Sequence, residues 1–220
     1  MIDVILLSAG KGLRMGLDYP KQFLKIKGKP IFVYSLEVFS QIPDVSKIIL
    51  VCNSNCVDEY KKYVEMYHIP NVVYVMGGNT RQESVYNALP YVGTEKVFIH
   101  EAARPLISCD LVNEILLTDE ADAIVPTVPV KFTVIQGADY MTGELERSSL
   151  HNVQLPQLFL TKVLKTVHEK ALKDGYFATE DGMMAFHYGY KVRLVKGRES
   201  NIKVTTPLDV ELINRLLNMQ

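Results

Sequence analysis

The chain has 220 residues, of which 48% are hydrophobic and 22% charged, and its formal net charge is -1. That length suits one sizeable domain with its own core rather than two independent domains. The near-neutral charge excludes an overall basic surface for nucleic acid, so a site for an anionic ligand must be local.

The cysteines and the start of the chain indicate a reducing compartment. Cys52, Cys56 and Cys109 form neither a CxxC pair nor a cluster with histidine, which argues against a disulfide framework and a zinc site. The first residues, MIDVILLSAG, are typical of a buried strand and not of a signal peptide. No segment has the roughly 20 apolar residues of a membrane span. We therefore expect reduced thiols in a cytoplasmic protein without a membrane anchor.

Short apolar runs and helix-period segments alternate along the chain. The runs are VILLSA (4–9), KIILVCN (47–53), VVYVMGG (72–78), KVFIHEAA (96–103), DAIVPTVPV (122–130) and KVRLVKG (191–197). Helical periodicity marks residues 30–42, 55–69, 80–92, 108–120 and 160–175. Strands that are apolar throughout are typical of a parallel sheet buried on both faces. The alternation predicts βαβ crossovers and a three-layer α/β sandwich, in a single domain over residues 1–220.

Residues 131–152 interrupt this alternation. The β-like piece KFTVIQ (131–136) is followed by the polar, turn-rich GADYMTGELERSS (137–149). Such a pattern indicates a hairpin or arm that projects from the sandwich. We expect this arm to serve as an oligomer interface.

A glycine-rich turn, LLSAGKGLRMG (6–16), directly follows the first apolar run. Its glycines are spaced GxGxxxG, which misses the dinucleotide fingerprint by one residue, and the turn lacks the GK[ST] of a P-loop. Lys11 and Arg14 lie within the turn, and Lys21 follows in PKQ (20–22). This concentration of cations favours a triphosphate. The alternative is a glycine turn whose basic residues are simply solvated.

A second glycine turn, GGNTRQESVYNAL (77–89), also follows an apolar run. Thr80 is a candidate N-cap, and Glu83 is placed to complete a capping box. Arg81 and Ser84 would then lie at the carboxyl end of a strand, where ligands of open α/β sheets bind. The alternative is a capped helix with an exposed arginine.

Two further motifs carry charged residues. In IHEAARP (99–105), Glu101 could hold magnesium through one oxygen while phosphates complete the octahedron, and Arg104 could bind a phosphate bidentately. A salt bridge between these two residues is the alternative. NIKVTTPLDVELI (201–213) places Lys203 in a short strand, and Thr206 precedes a proline at the first position of a helix. Lys203 would bind phosphate if it faces the cleft and would be an ordinary exposed lysine otherwise.

These four motifs occur together in the order and spacing of the IspD/TarI group of cytidylyltransferases, and the chain resembles that group from end to end. Members act on 2-C-methyl-D-erythritol 4-phosphate or on ribitol 5-phosphate. The resemblance implies a Rossmann-like nucleotidyltransferase sandwich with a mostly parallel sheet. It also implies that the arm clasps a second subunit into a homodimer. The reaction it implies is the Mg²⁺-dependent transfer of CMP from CTP to a sugar-alcohol phosphate, with release of pyrophosphate.

The resemblance also assigns roles to individual residues. The implied catalytic cations are Arg14, Lys21 and Lys203, and the implied magnesium ligand is Glu101. The implied nucleotide contacts are Ser8, Ala9, Gly10, Lys11, Gly12, Gly77, Gly78, Arg81 and Ser84. The implied acceptor contacts are Arg104, Thr133 and, from the arm of the second subunit, Arg147.

The chemistry fits these residue types. A phosphate monoester is already an adequate nucleophile at neutral pH, so alignment and charge neutralisation matter more than a general base. Accordingly, the five histidines form no convincing triad or metal-ligand spacing and are expected to be structural.

Three positions depart from the group's pattern, and they bear on the acceptor. Glu101 stands where the group usually has Asp, Phe132 stands where the arm usually has an acid, and Leu155 replaces the threonine of TPQ. The leading interpretation is the methylerythritol substrate of isoprenoid precursor synthesis. The alternatives are ribitol 5-phosphate or another polyol phosphate for cell-wall or capsule polymers, and, in another class, a non-catalytic nucleotide-binding protein. An NAD-dependent reductase is disfavoured by the absence of GxGxxG.

Overall fold

The computed structural model describes residues 1–10, 19–118 and 121–219. The strands are β1 (Ile2–Leu7), β2 (Lys25–Ile26), β3 (Lys29–Pro30), β4 (Val45–Cys52), β5 (Val72–Met76), β6 (Lys96–Glu101), β7 (Ala123–Pro129), β8 (Ile135–Gly137), β9 (Met141–Glu144), β10 (His151–Val153), β11 (Gln157–Leu160) and β12 (Val192–Lys196). The α-helices are α1 (Ile31–Ser40), α2 (Val57–Met66), α3 (Arg81–Ala88), α4 (Cys109–Leu116), α5 (Thr161–Asp174), α6 (Asp181–His187) and α7 (Pro207–Asn218).

Eight of the described strands form one sheet in the order β10-β7-β11-β6-β1-β4-β5, with β12 also paired to β7. Strands β1, β4, β5, β6, β7 and β12 run in one direction, and β10 and β11 run against them. The predicted mostly parallel sheet is therefore confirmed. Because β1, β4, β5 and β6 are parallel, the segments that follow them all begin at the same side of the sheet, where the carboxyl ends of these strands lie.

Helices cover both faces of the sheet, which confirms the three-layer sandwich. Alternate residues of β1 point to opposite faces, so that Val4 and Leu6 belong to one core and Ile5 to the other. Helices α1, α2 and α4 pack on the first face, and α3, α5 and α6 pack on the second. Burial on both sides explains why these strands are apolar throughout.

The chain between β7 and β10 forms the predicted projection. Strands β8 and β9 form a short antiparallel hairpin, and among the described strands they pair only with each other. Residues 131–149 are mostly exposed, and the side chains of Phe132 and Tyr140 are 82% and 85% exposed. Strand β7 runs parallel to β6, so this arm leaves the sandwich at the edge where β6 also ends.

One predicted strand is wrong. Residues 201–205, which include Lys203, adopt no regular secondary structure. Side chains hold this segment in place of a strand ladder: Asn201 Nδ2 donates to Leu155 O at 2.6 Å, and Gln154 bonds both the N–H and the C=O of Arg198. Gln154 and Asn201 are both buried, so these bonds are shielded from water.

Within the described ranges, no helix is long and apolar enough to cross a bilayer. The three cysteines are free thiols; Cys52 is buried, whereas Cys56 and Cys109 are half-buried.

Candidate active site

A cleft of about 960 Å³ opens where β1, β4, β5 and β6 end. Most of the described residues that the motifs pointed to line it: Ser8, Ala9, Gly10, Lys21, Gly77, Gly78, Arg81, Ser84, Glu101 and Lys203. A smaller groove of about 360 Å³ lies at the opposite edge of the sheet, around Lys96 and Lys191, where no predicted residue falls. The cleft at the carboxyl ends of β1, β4, β5 and β6 is therefore the candidate site. Lys11, Gly12 and Arg14 lie outside the described residues.

Buried hydrogen bonds from Gln22 and Tyr60 fix the start of the turn after β1. The carbonyl of Ser8 accepts from Gln22 Nε2 and, at 2.5 Å, from the hydroxyl of Tyr60, which also contacts Ser8 Oγ at 3.0 Å. Tyr60 comes from α2 and is fully buried beside Phe23. These bonds fix Ser8, which lies two residues before Gly10, and both residues line the cleft.

The turn after β5 is organised by the cap of α3. Glu83 N donates to Thr80 Oγ1 at 3.0 Å, which confirms Thr80 as the N-cap. The predicted capping box is wrong in one bond, because the Glu83 carboxylate accepts from Asn79 N at 2.7 Å rather than from the Thr80 N–H. Ser84 Oγ accepts from Gly78 N at 3.0 Å and donates to Thr80 O at 2.8 Å. Ser84 therefore shapes the glycine turn itself.

Gly77 is required by close packing between the two turns. A Cβ at this position would lie 2.3 Å from Ala9 Cβ, so the two turns could not keep their present distance. We expect Gly77→Ala to lower the free energy of unfolding by about 1–3 kcal/mol and to weaken CTP binding, because the turns must separate. Urea unfolding and calorimetry measure both effects.

Gly93 provides the control for this substitution. A Cβ there would meet its nearest neighbour, Lys47 Nζ, at an ordinary 3.6 Å, and the position is exposed. Gly93→Ala should change stability by less than about 0.5 kcal/mol. Equal stability and equal CTP affinity in the Gly77 and Gly93 variants would contradict the packing argument.

Glu101, the last residue of β6, pairs with two cations inside the cleft. Its Oε1 lies 3.1 Å from Arg81 Nε, and its Oε2 forms an ion pair with Lys203 Nζ. Burial by itself would raise the pKa of Glu101, but the attraction of Lys203 and Arg81 outweighs it and lowers the pKa to about 2. The carboxyl is therefore ionised at neutral pH. The alternative of a salt bridge between Glu101 and Arg104 is not what forms.

This pKa makes stability depend on pH. A carboxyl whose folded pKa lies below its unfolded value stabilises the fold fully above the unfolded pKa, and the contribution is lost as the pH falls through the folded pKa. The relevant window runs from 4.5 down to about 2. Between pH 7 and pH 3, wild type should therefore lose about 2 kcal/mol more stability than Glu101→Gln.

Urea unfolding at the two pH values tests this expectation. Glu211→Gln, at an exposed glutamate of α7, is the control and should lose as much stability as wild type. If wild type and Glu101→Gln lost equal stability, the Glu101 carboxylate would not be held as the structure describes.

Arg81 faces three carboxylates. Besides Glu101, its Nη2 lies 3.1 Å from Glu180 Oε2, and its Nη1 lies 2.6 Å from Asp181 Oδ2. Burial would lower the pKa of Arg81, but these carboxylates raise it above its usual range. The alternative of an exposed arginine on a capped helix is excluded, since all three guanidinium nitrogens are in ion pairs.

Two lysines line the cleft, and one of them bonds the backbone of the segment that carries the other. Lys21 Nζ donates to Val204 O at 2.6 Å, and Val204 N donates to Ala103 O at 2.7 Å. Lys203 immediately precedes Val204, and its side chain is one-third exposed. The site thus combines glycine turns, two lysines and one ionised carboxylate, a set suited to holding phosphates.

Comparison with known proteins identifies the family. The sequence model described as "IspD: 2-C-methyl-D-erythritol 4-phosphate cytidylyltransferase" matches residues 2–219. The chain belongs to the IspD family. The resemblance on which the sequence expectation rests is thereby confirmed.

Individual relatives agree with this assignment. The 2-C-methyl-D-erythritol 4-phosphate cytidylyltransferase of Bacillus cytotoxicus is 37% identical over 224 residues, which cover 100% of this chain and 99% of that protein. The chloroplastic protein of that name from Oryza sativa is 35% identical and covers 99% of this chain and 74% of its own length. Among solved structures, the 4-diphosphocytidyl-2C-methyl-D-erythritol synthase of Anaerococcus prevotii has a TM-score of 0.87 at 29% identity, with 99% of this chain and 96% of that chain covered.

The acceptor residues expected from the IspD resemblance do not line the cleft described above. The guanidinium of Arg104 donates to two backbone carbonyls, those of Asn201 at 2.8 Å and Val153 at 3.4 Å. Thr133 and Arg147 lie on the exposed arm. Leu155, which departs from the IspD pattern, is completely buried in the core beside β1 and β6 and contributes no side chain to the cleft.

Several residues that support the candidate site could not be assigned a role from sequence. Tyr60 and Gln22 hold Ser8, Gln154 and Asn201 hold the segment with Lys203, and Asp181 holds Arg81. Tyr60 lies among ordinary α2 residues, and no local pattern marks it. The one signal available was Gln22, which lies inside PKQ.

Proposed function

We propose that this chain transfers CMP from CTP to 2-C-methyl-D-erythritol 4-phosphate in a Mg²⁺-dependent reaction that forms a CDP-alcohol and releases pyrophosphate. The observation that carries the proposal is the convergence of Lys21, Lys203 and ionised Glu101 beside two glycine turns. Lys21 and Lys203 are far apart along the chain, and both line the cleft into which β6 delivers Glu101. The names of the relatives support the same reaction.

The chemistry is an in-line displacement at phosphorus. An oxygen of the acceptor's phosphate attacks the α-phosphorus of CTP, the bond to the bridging oxygen breaks, and that oxygen leaves with pyrophosphate. Lys21, with Arg14, would neutralise the charge that moves onto the bridging oxygen, and Lys203 would hold the phosphates. Ser8 to Gly12, Gly77 and Gly78, with Arg81 and Ser84, would position the nucleotide.

The donor set fits a magnesium ion bound mainly by substrate. Across residues 1–10, 19–118 and 121–219, no cluster of three or more His, Cys, Asp or Glu side chains could hold a metal by itself. Magnesium at nucleotide sites is usually bound through one or two carboxylates and phosphate oxygens, and Glu101 supplies an ionised carboxylate. Glu101 would hold the ion, which would neutralise phosphate charge.

The arm would complete the acceptor site in a homodimer. Thr133 and the Arg147 of a second subunit would contact the acceptor, and Arg104 would add a cation from the sandwich. The exposed apolar side chains of the arm, such as Phe132 and Tyr140, support an interface there. A cytoplasmic location stays part of the proposal.

Two observations favour 2-C-methyl-D-erythritol 4-phosphate as the acceptor. The matched relatives are named for the methylerythritol substrate, and the burial of Leu155 means that this departure removes no polar group from the cleft. Phe132 remains as a departure on the arm. The alternative acceptor against which methylerythritol phosphate must be tested is therefore ribitol 5-phosphate. The alternative function is nucleotide binding without catalysis.

An acceptor panel tests the proposal. The protein is incubated with CTP and Mg²⁺ and with methylerythritol, ribitol, glycerol or sugar phosphates, and pyrophosphate is measured. We expect release that requires all three components and is fastest with the methylerythritol phosphate. Preference for ribitol 5-phosphate would overturn the acceptor, and CTP binding without turnover with any acceptor would favour the non-catalytic alternative.

A further inference from the structure

Behind Arg81 lies buried charge that the proposed chemistry does not use. Asp181, the first residue of α6, is fully buried, and both of its carboxylate oxygens are engaged. Oδ2 lies 2.6 Å from Arg81 Nη1, and Oδ1 lies 2.8 Å from Nε2 of His168, a buried residue of α5. Arg81 is thereby tied to the layer of helices on the second face of the sheet.

A buried glutamine holds the start of α6 in register with the sheet. Gln157 of β11 is completely buried; its Oε1 accepts from Gly182 N at 3.0 Å, and its Nε2 donates to Glu180 Oε2 at 3.2 Å. Glu180 in turn reaches Arg81. The Arg81 guanidinium is therefore held by Asp181 of α6 and by Glu180, the residue before it, and these two are bonded in turn to His168 of α5 and Gln157 of β11.

A buried ion pair usually adds little net stability compared with apolar side chains of the same volume, because both charges must be removed from water. What the pair with Asp181 does provide is a fixed direction for the Arg81 guanidinium. The remaining nitrogen, Nε, points at Glu101 at 3.1 Å. Fixing Arg81 therefore fixes one oxygen of the Glu101 carboxylate.

Glu101 Oε1 must stay paired with a cation during the reaction if the carboxylate is to keep its orientation. Glu101 is shared by Lys203 and Arg81, and the proposed function requires Lys203 to turn toward the phosphates. Arg81 then remains as the cation in contact with the carboxylate. We propose that Asp181 is a positioning residue, which acts through Arg81 to keep Glu101 in the orientation that a complex of CTP and Mg²⁺ requires. This inference rests on the proposed function.

Calorimetry of CTP binding with and without Mg²⁺ tests the inference. In Asp181→Asn, which keeps the shape and removes the charge, the metal-free affinity for CTP should fall less than the affinity measured with Mg²⁺, because Arg81 keeps its ion pairs with Glu101 and Glu180. The gain in affinity that Mg²⁺ gives should fall by fivefold or more, because Glu101 is no longer held for the ion.

Asp3→Asn is the matched control. Asp3 is also completely buried, its Oδ2 accepts from Gly93 N at 2.7 Å, and it lies near the opposite end of β1 from the cleft. Asp3→Asn should destabilise the protein without changing the Mg²⁺-dependent gain. An equal loss of that gain in both variants would reduce Asp181 to a structural role and overturn the inference.

A double-mutant cycle with Glu101→Gln separates the possible failures. If Asp181 acts through Glu101, the double variant should lose no more of the Mg²⁺-dependent gain than Glu101→Gln alone, whereas additive losses would overturn the inference. Wild type that binds no CTP would overturn the proposed function itself, and an unaltered gain in Glu101→Gln would overturn the metal role of Glu101. If Asp181→Asn does not fold, His168→Leu removes only the group behind Asp181; an unaltered gain in that variant overturns the inference, and a twofold or greater loss supports it.

Discussion

Lys21→Ala is expected to lower kcat for pyrophosphate release by on the order of 10²–10³-fold, since removing one preorganised donor from a developing negative charge costs about that much. The KM for CTP should change by less than about threefold, because the lost interaction strengthens in the transition state. The protein should stay folded. The variant loses the hydrogen bond from Lys21 Nζ to Val204 O, and such a bond contributes about 1 kcal/mol.

Lys25→Ala is the control for this variant. Lys25 lies four residues further along and is exposed, so its loss should leave kcat within about twofold of wild type. Steady-state rates and thermal unfolding of both variants provide the comparison. If Lys21→Ala kept activity within tenfold of wild type while folded, the proposed role of Lys21 would be wrong.

Glu101→Gln is expected to lower kcat by about 10²-fold and to raise the Mg²⁺ concentration for half-maximal rate. The reason is that the amide has no charge to offer the ion and cannot neutralise Lys203 and Arg81 together. Measuring the rate as a function of Mg²⁺ concentration at saturating CTP shows both effects.

Glu101→Asp is the conservative partner of that variant. The IspD/TarI pattern usually has Asp at this position, so the shorter carboxylate should keep activity within about tenfold of wild type. Equal activity loss in the Asp and Gln variants would show that length, and not charge, matters. A Gln variant with an unaltered Mg²⁺ dependence would remove Glu101 from the metal site.

The sequence was sufficient for the sandwich because its information is local. Apolar runs such as KIILVCN are buried on both faces and could be recognised without knowing their partners. The glycine turns follow such runs, so their position at the strand ends also followed. The cap at Thr80 depends on residues three apart and was predictable for the same reason.

What could not be predicted depends on contacts between distant residues. The pairs that join Arg81 to Glu101 and to Asp181 connect positions 20 and 100 residues apart, and no spacing rule reports them. The Lys203 segment has the composition of a strand, but the side chains of Gln154 and Asn201 take the place of a neighbouring strand. Leu155 could be aligned with a motif, but its burial in the core became visible only in the fold.

The most direct test of cytidylyl transfer is ³¹P NMR of one reaction that contains the protein, CTP, Mg²⁺ and 2-C-methyl-D-erythritol 4-phosphate. The acceptor's monoester signal and the signals of CTP should disappear together. A diphosphate diester and free pyrophosphate should then form in equal amounts. Formation of CDP and inorganic phosphate, or unchanged CTP in the presence of all components, would contradict cytidylyl transfer.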